Sequence, residues 1–367
     1  MSLFIFAIIL TVLVFVHELG HFVTARKMGI GVDEFAIGFP PRAIGIKKKN
    51  TTYSLNWIPI GGFVKIKGEQ GENADDEDSF AHKKIWQRTV VLVAGVAMNI
   101  LLAFVLLSAG YGIGLPTVIQ EVPAGATIRD HKVQIVEVVE DSAAKKSGIQ
   151  VGDAVVAVDN TSVDTVEAFR NLIKPKVNTE VPVTLKRGDE TIETKLTPLP
   201  DDAGEGLAGV GLVETGVVRY PVHQAIWMGA RTTVNLLWET AKGLFMLVRD
   251  LLVSRHVSFD VAGPVGIAVL TGEVSKLGII YLLQFTALLS INLAVINILP
   301  FPALDGGRVL FLIIEKIRRK PVSRNVEAVI HNIGFALLIG LIILVTVKDV
   351  SRLSGTIGSF FQRLFGG

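Results

Sequence analysis

His17, Glu18 and His21 stand in the stretch LVFVHELGHFVTA. On a helix, histidines four residues apart share a face, one turn above the other. Two imidazoles so placed can grip one zinc ion, with the intervening glutamate as general base toward a water that attacks a peptide carbonyl. From residue 3 to residue 23 the chain has no other ionisable side chain. Such groups are costly in an apolar helix unless they face a cavity or a partner, so they mark a functional site by default. The plainer alternative is a buried polar cluster that fixes helix packing. A catalytic zinc needs a third protein ligand and an open position. Asp305, in NILPFPALDGGR at 297–308, is the candidate. Pro300, Pro302 and the Gly306-Gly307 pair interrupt the helix there, which is tolerable at membrane depth only against protein or a wet cavity. Asn297, just before the break, could hydrogen-bond substrate backbone or an oxyanion, or could simply tie helices together.

These residues need a scaffold of unusual apolarity. The chain has 367 residues, half of them hydrophobic and 19% charged, with a mean hydropathy of +0.51. That composition puts membrane spans first. A net charge of +2 gives no footing for a nucleic-acid partner. With no cysteine, thiolate metal sites and disulfides are excluded, leaving His, Asp and Glu as ligands. Residues 3–25, 90–115, 277–298 and 329–347 each reach the roughly 20 apolar residues that a spanning helix requires. The first lacks a basic leader and a small-residue cleavage site, so it reads as a retained span. Arg26, Lys27, Arg42, Lys47, Lys48, Lys49, Lys65, Lys67, Lys83, Lys84 and Arg88 crowd the loop after it; Arg308, Lys316, Arg318, Arg319, Lys320 and Arg324 follow the third. Both loops are therefore expected inside, and residues 116 to about 272 outside. The first and third spans then both run inward, and the histidine pair and Asp305 meet at one depth.

The outside region reads as a small soluble module. From 133 the chain runs VQIVEVVEDSAAKKSGIQVGDAVVAVDNTSV, then the helix-spaced VDTVEAFRNLIK, then EVPVTLKRGDETIETKLTPL, a hairpin turning at Gly188 and Asp189. The pattern resembles a PDZ domain, which binds an extended peptide or tail at a sheet edge; the alternative is a β-rich domain without a peptide ligand. The expected divisions are 1–115 with the first two spans and a β-rich loop, 116–200 for the PDZ-like domain, 201–276 as a connector, and 277–367 for the last two spans. Within the connector, residues 223–252 form an amphipathic helix, interfacial or docking rather than spanning. The loop TTYSLNWIPIGGFVKIKG at 51–68 is β-patterned, and is either an edge strand open to another strand or a structural hairpin. The acidic run at 69–80 reads as a solvated loop.

Taken together, HELGH in the first span, the Asn-x-x-Pro-x-x-x-Leu-Asp-Gly pattern at 297–306, the PDZ-like insert, SFAHKKIWQR at 79–88 and GPVGIA at 263–268 resemble the bacterial site-2 proteases of the RseP/RasP type. These are intramembrane zinc metalloproteases. The resemblance implies a polytopic α-helical membrane protein of the bacterial inner membrane, with about four transmembrane helices, an inserted extracytoplasmic PDZ-like α+β domain and a small membrane-associated β element. It implies Zn2+ on His17, His21 and Asp305, Glu18 as catalytic base, and single-pass membrane proteins as substrates, including pre-trimmed anti-sigma factors and remnant signal peptides. It further implies that the strand around Gly61, Gly62, Phe63, Val64 and Lys65 clamps an extended substrate. Two departures stand out: GVAMN at 95–99 has Val96 where many relatives have proline, while keeping Asn99, and only one PDZ-like module fits between 116 and 200. The competing functions are a non-catalytic PDZ membrane scaffold and a transporter using His17, Glu18 and Asp305 as a proton or metal path; no internal symmetry supports the transporter.

Overall fold

A computed structural model describes residues 2–69, 71–119, 125–188, 190–201, 203–253 and 262–365. In chain order the elements are α1 (Ser2–Lys27), β1 (Val32–Lys48), β2 (Thr51–Ile66), α2 (Ile85–Ile113), β3 (Leu115–Val118), β4 (Thr127–Val138) and α3 (Ala143–Lys146). There follow β5 (Ala154–Val158), β6 (Thr161–Ser162), α4 (Val166–Ile173), β7 (Val181–Arg187), β8 (Glu190–Leu196), β9 (Leu199–Pro200), β10 (Gly206–Leu207) and β11 (Val210–Arg219). The chain closes with α5 (Val222–Val253), α6 (Pro264–Leu277), α7 (Ile279–Asn297), α8 (Asp305–Arg318) and α9 (Arg324–Phe365). It divides into two compact units, residues 1–108 with 227–367, and residues 109–226.

In the first unit, α1, α2, α7 and the stretch Asn325–Ser351 of α9 are long and apolar enough to cross a membrane. They coincide with the four segments expected from hydropathy. Helix α5 is not among them, as its interspersed charges anticipated.

The β-patterned loop is larger than the sequence suggested. β1 and β2 form a two-stranded sheet in which residues 34–37 pair with 62–65 on one side and with 52–55 on the other. Both readings of the loop are thereby partly right: it is a hairpin, and its 62–66 segment has no second strand partner among the described residues. β2 runs along α1. Arg26 Nη1 donates to Thr51 Oγ1 at 3.2 Å, Val64 N–H donates to Glu18 at 3.0 Å, and Thr11 Oγ1 donates to the Pro59 carbonyl at 3.0 Å. Thr11 and Arg26 lie fifteen residues apart on α1, so the hairpin dips about 22 Å along the helix axis and returns. Phe15, Phe22, Phe35 and Tyr53 form the aromatic seam between helix and hairpin.

Helix α6, which begins within GPVGIA, is capped from a distance. Its N-terminal N–H groups at Gly263 and Gly266 donate to the Asp349 carboxylate at 3.2 and 2.7 Å, and that side chain is buried. A carboxylate there satisfies orphan donors and the positive end of the helix dipole together. Asp349→Ala is expected to lower stability by about 1–2 kcal/mol, and Asp349→Asn by less because one acceptor survives. Thermal unfolding of the purified protein checks this; equal midpoints for wild type and Asp349→Ala would refute the cap.

The second unit carries a seven-stranded sheet in the order β3-β11-β4-β5-β7-β8, with β6 beside β5. Val133, Ile135, Val155, Val158, Phe169, Leu185 and Leu196 make its core. Thr165 caps α4 by accepting from Ala168 N–H at 3.1 Å, and the four-residue apolar spacing buries Phe169 and Ile173. The boundary expected at residue 200 needs correction. β11, assigned to the connector by sequence, pairs with both β3 and β4 in this sheet. The reason is long-range pairing: β11 follows a turn-rich stretch, and its partner strands lie roughly 70 to 100 residues earlier. The β7–β8 hairpin closes at Arg187 and Glu190 as its sequence implied, although Asp189 lies outside the described residues.

A buried ion pair holds this unit's turn. Asp153, 1% exposed, takes two hydrogen bonds from Arg187 at 2.7 and 2.8 Å and a third from Gln150 N–H at 2.9 Å. Burial alone would raise the carboxyl's pKa; the guanidinium and the amide outweigh it and hold it below the ordinary value. The depressed folded pKa means the stabilisation is present above the unfolded value of about 4 and is lost as pH falls through the folded one. Arg187→Leu is therefore expected to lower the unit's melting temperature at neutral pH, with the gap to wild type narrowing below pH ~4. A gap constant from pH 7 to 3 would contradict that coupling.

Candidate metal centre

Three elements bring the polar residues together. α1 supplies His17, Glu18 and His21; α2 crosses behind them at Gly95 and Asn99; and the turn between α7 and α8 delivers Asp305. That turn is tight because α8 starts against it. A side chain on Gly306 would strike the Ile298 and Leu299 carbonyls, and one on Gly307 would meet the Phe301 carbonyl carbon at 2.8 Å. The paired glycines are thus what lets α8 begin at Asp305 immediately after the two prolines.

His17 Nε2, His21 Nε2 and Asp305 Oδ2 face one point. Their separations are 3.2 Å between the nitrogens, and 3.1 and 3.3 Å from the carboxylate oxygen to His17 and His21. Although so near both rings, Asp305 Oδ2 is buried without a well-directed hydrogen bond. Two imidazole nitrogens and a carboxylate oxygen converging this closely is the arrangement of ligands around a cation. Zinc bonds of 2.0–2.1 Å in a tetrahedron place ligand atoms about 3.3 Å apart, so the three residues fit zinc.

The second nitrogens of the rings are also accounted for. His21 Nδ1–H donates to the Val91 carbonyl at 2.8 Å, which leaves Nε2 as its lone pair. His17 Nδ1 lies 3.3 Å from the Asn99 side-chain nitrogen, while Asn99 Oδ1 is buried and unpartnered. A half-turn of that amide exchanges its ends and lets Oδ1 accept from Nδ1–H, the pairing that a metal on Nε2 requires. Ser290 Oγ, donating to the Asn99 carbonyl at 2.8 Å, holds the helix there. Gly95 makes the room: a Cβ on it would lie 2.7 Å from His17 Cε1 and closer still to His21 Nε2.

The residues expected at the substrate lie beside this centre. Asn297, the last residue of α7, has its amide nitrogen 3.5 Å from His17 Nε2. Val64 N–H occupies Glu18 Oε2, which sets the 62–66 strand against the candidate base. Gly62, Phe63 and Lys65 pair with Ile37, Ala36 and Glu34, and Gly61, at a φ of 73°, begins the returning strand. Sequence reasoning retained Asn99 but gave it no partner, and gave Gly95 no role. A lone amide inside a fully uncharged span was the available signal for Asn99; for Gly95 the one signal was its place in the GVAMN stretch, which says nothing of what it faces.

Comparison with known proteins bears on this geometry. The profile of peptidase family M50 matches residues 5–341. A Clostridium perfringens protein named as a candidate zinc metalloprotease is 36% identical over 347 residues, covering 94% of this chain and 98% of its own. The Bacillus subtilis regulator of sigma-W protease RasP is 30% identical over 433 residues, covering 95% of this chain and 98% of its own. A solved PDZ domain of an SdrC-like protein from Listeria monocytogenes aligns with 26% of this chain and 93% of that one at 21% identity, with a TM-score of 0.21.

Proposed function

The chain belongs to peptidase family M50, and from that premise we propose that it is an intramembrane zinc metalloprotease cutting single-pass membrane proteins within their spans. The observation that carries this reading is the convergence of His17, His21 and Asp305 on one point beside Glu18 and the 62–66 strand. His17, His21 and Asp305 would hold the zinc, which when bound supplies Lewis acidity to a peptide carbonyl. Glu18 is the carboxylate beside that set that does not join it. It takes the proton from the attacking water and returns it to the leaving amine. Asn297 offers an amide donor where negative charge develops on the carbonyl oxygen. A peptide bond inside a helix is shielded, so the substrate must be extended at the site. The segment from Gly61 to Lys65 presents a strand without a second partner among the described residues, to which an extended substrate adds.

The proposed setting is the bacterial inner membrane, with the basic loops inside and the PDZ-like unit outside, where it docks a peptide tail or limits the size of what approaches. The RasP relative's name, regulator of sigma-W protease, supports substrates of the anti-sigma-factor class after an outer trimming cut; remnant signal peptides are the second class. Purified full-length protein is expected to contain stoichiometric zinc and, in liposomes, to cleave a single-pass test substrate inside its apolar segment. Cleavage confined to soluble tails, or activity indifferent to a zinc chelator, would overturn the reading. For orientation, the chain has no cysteine, so Glu190→Cys in the β7–β8 hairpin gives a unique label. It should react from outside in intact cells; reaction only after lysis would invert the topology.

A further inference from the structure

Helix α9 grips the turn that carries Asp305 at two points one helical turn apart. Gly334 backs onto Pro302, where an added Cβ would come within 2.6 Å of the proline's carbonyl oxygen. His331 Nδ1 accepts a hydrogen bond of 2.8 Å from Ala303 N–H, two residues before Asp305. Ala303 has a φ of 76°. A residue with a Cβ holds that left-handed conformation only where its surroundings over-determine it. Since an amide can only donate, Nδ1 must present a lone pair, and the ring proton sits on Nε2. Phe311 packs on the imidazole with its ring centroid 5.4 Å away.

We propose that His331 is a positioning residue for the metal centre: through Ala303 it holds the Asp305 carboxylate where the two histidine nitrogens converge. The inference rests on the reading of His17, His21 and Asp305 as zinc ligands. Without the Nδ1 acceptor, the Ala303 N–H loses its partner, the left-handed residue relaxes, and the first residue of α8 moves off the ligand point. Loss of a supporting contact of this kind ordinarily costs a metal site about 10- to 100-fold in affinity.

The test compares His331→Ala, His331→Gln and His331→Asn in full-length protein. Asn carries its oxygen at the same distance along the side chain as Nδ1 and restores the acceptor; Gln carries it one bond too far. Two readouts are independent of proteolysis: the rate of zinc loss to a chelator and the visible absorption of the cobalt-substituted protein. The Ala and Gln variants are expected to release metal roughly 10- to 100-fold faster with an altered cobalt spectrum, and the Asn variant to stay near wild type. Wild-type release and spectrum in the Ala and Gln variants overturn the proposal. So does an Asn variant as defective as the Gln variant while both melt like wild type. Should the Ala variant fail to fold, the Asn and Gln pair decides. A wild-type protein that binds no stoichiometric metal would instead sink the zinc reading itself.

Discussion

Glu18→Gln is expected to lower cleavage of a transmembrane substrate by roughly a hundred- to ten-thousand-fold while leaving zinc content and thermal stability unchanged. The size follows from the role, since an amide cannot accept the proton that a water gives up as it attacks. The selectivity follows from the geometry. Glu18 stands between the two histidines in sequence but does not converge with them, and its carboxylate accepts a hydrogen bond from Val64 N–H. A glutamine oxygen can accept that same bond, so the strand stays seated. The measurement is kcat/KM in liposomes beside metal analysis of the same preparation. Activity within a few-fold of wild type would remove Glu18 from catalysis. Loss of zinc would show that it is a ligand rather than a base.

A second large effect is expected at a residue with no chemistry of its own. Gly95→Ala adds one methyl group, and its Cβ would lie 2.7 Å from His17 Cε1 and nearer still to His21 Nε2. Neither ring can retreat freely, since His21 is tied to the Val91 carbonyl and His17 lies against Asn99. The substitution is therefore expected to abolish stoichiometric zinc binding, and activity with it. Helix propensity points the other way, because alanine is favoured over glycine within a helix by up to ~1 kcal/mol. Intact helical content with an empty site is the expected signature. Gly340→Ala, at a position where the added Cβ meets no atom within 4 Å beyond its own stretch of helix among the described residues, is the matched control and should change neither. Full zinc occupancy in Gly95→Ala would show that the imidazoles do not sit as described.

Much of the site was legible because its chemistry is rare in its setting. His17, Glu18 and His21 are readable from spacing alone, for a helix turns 3.6 residues and an apolar span tolerates no idle charges. Asp305 could be paired with them because a basic loop follows both the first and the third apolar segment, so both are expected to run the same way and to end at the same depth. The four apolar helices were equally plain, since each satisfies a length and composition rule locally. β11 was not, because its place depends on partners far away in the chain. The length of the β1–β2 hairpin also went unread, for its register comes from packing against α1 as much as from its own alternation.

By itself the sequence determined where the four long apolar helices lie and which side chains could hold a metal and move a proton, because these depend on residue type and local periodicity. Only the tertiary structure decided that Asn99 and the Val91 carbonyl meet the outer nitrogens of the histidines, that Gly95 is the space the rings need, and that Asp349 and His331 reach from α9 to α6 and to the Asp305 turn. Each of those depends on one helix crossing another at a particular rotation. A rotation is set by the sum of many contacts along both helices, and no short stretch of sequence contains that sum.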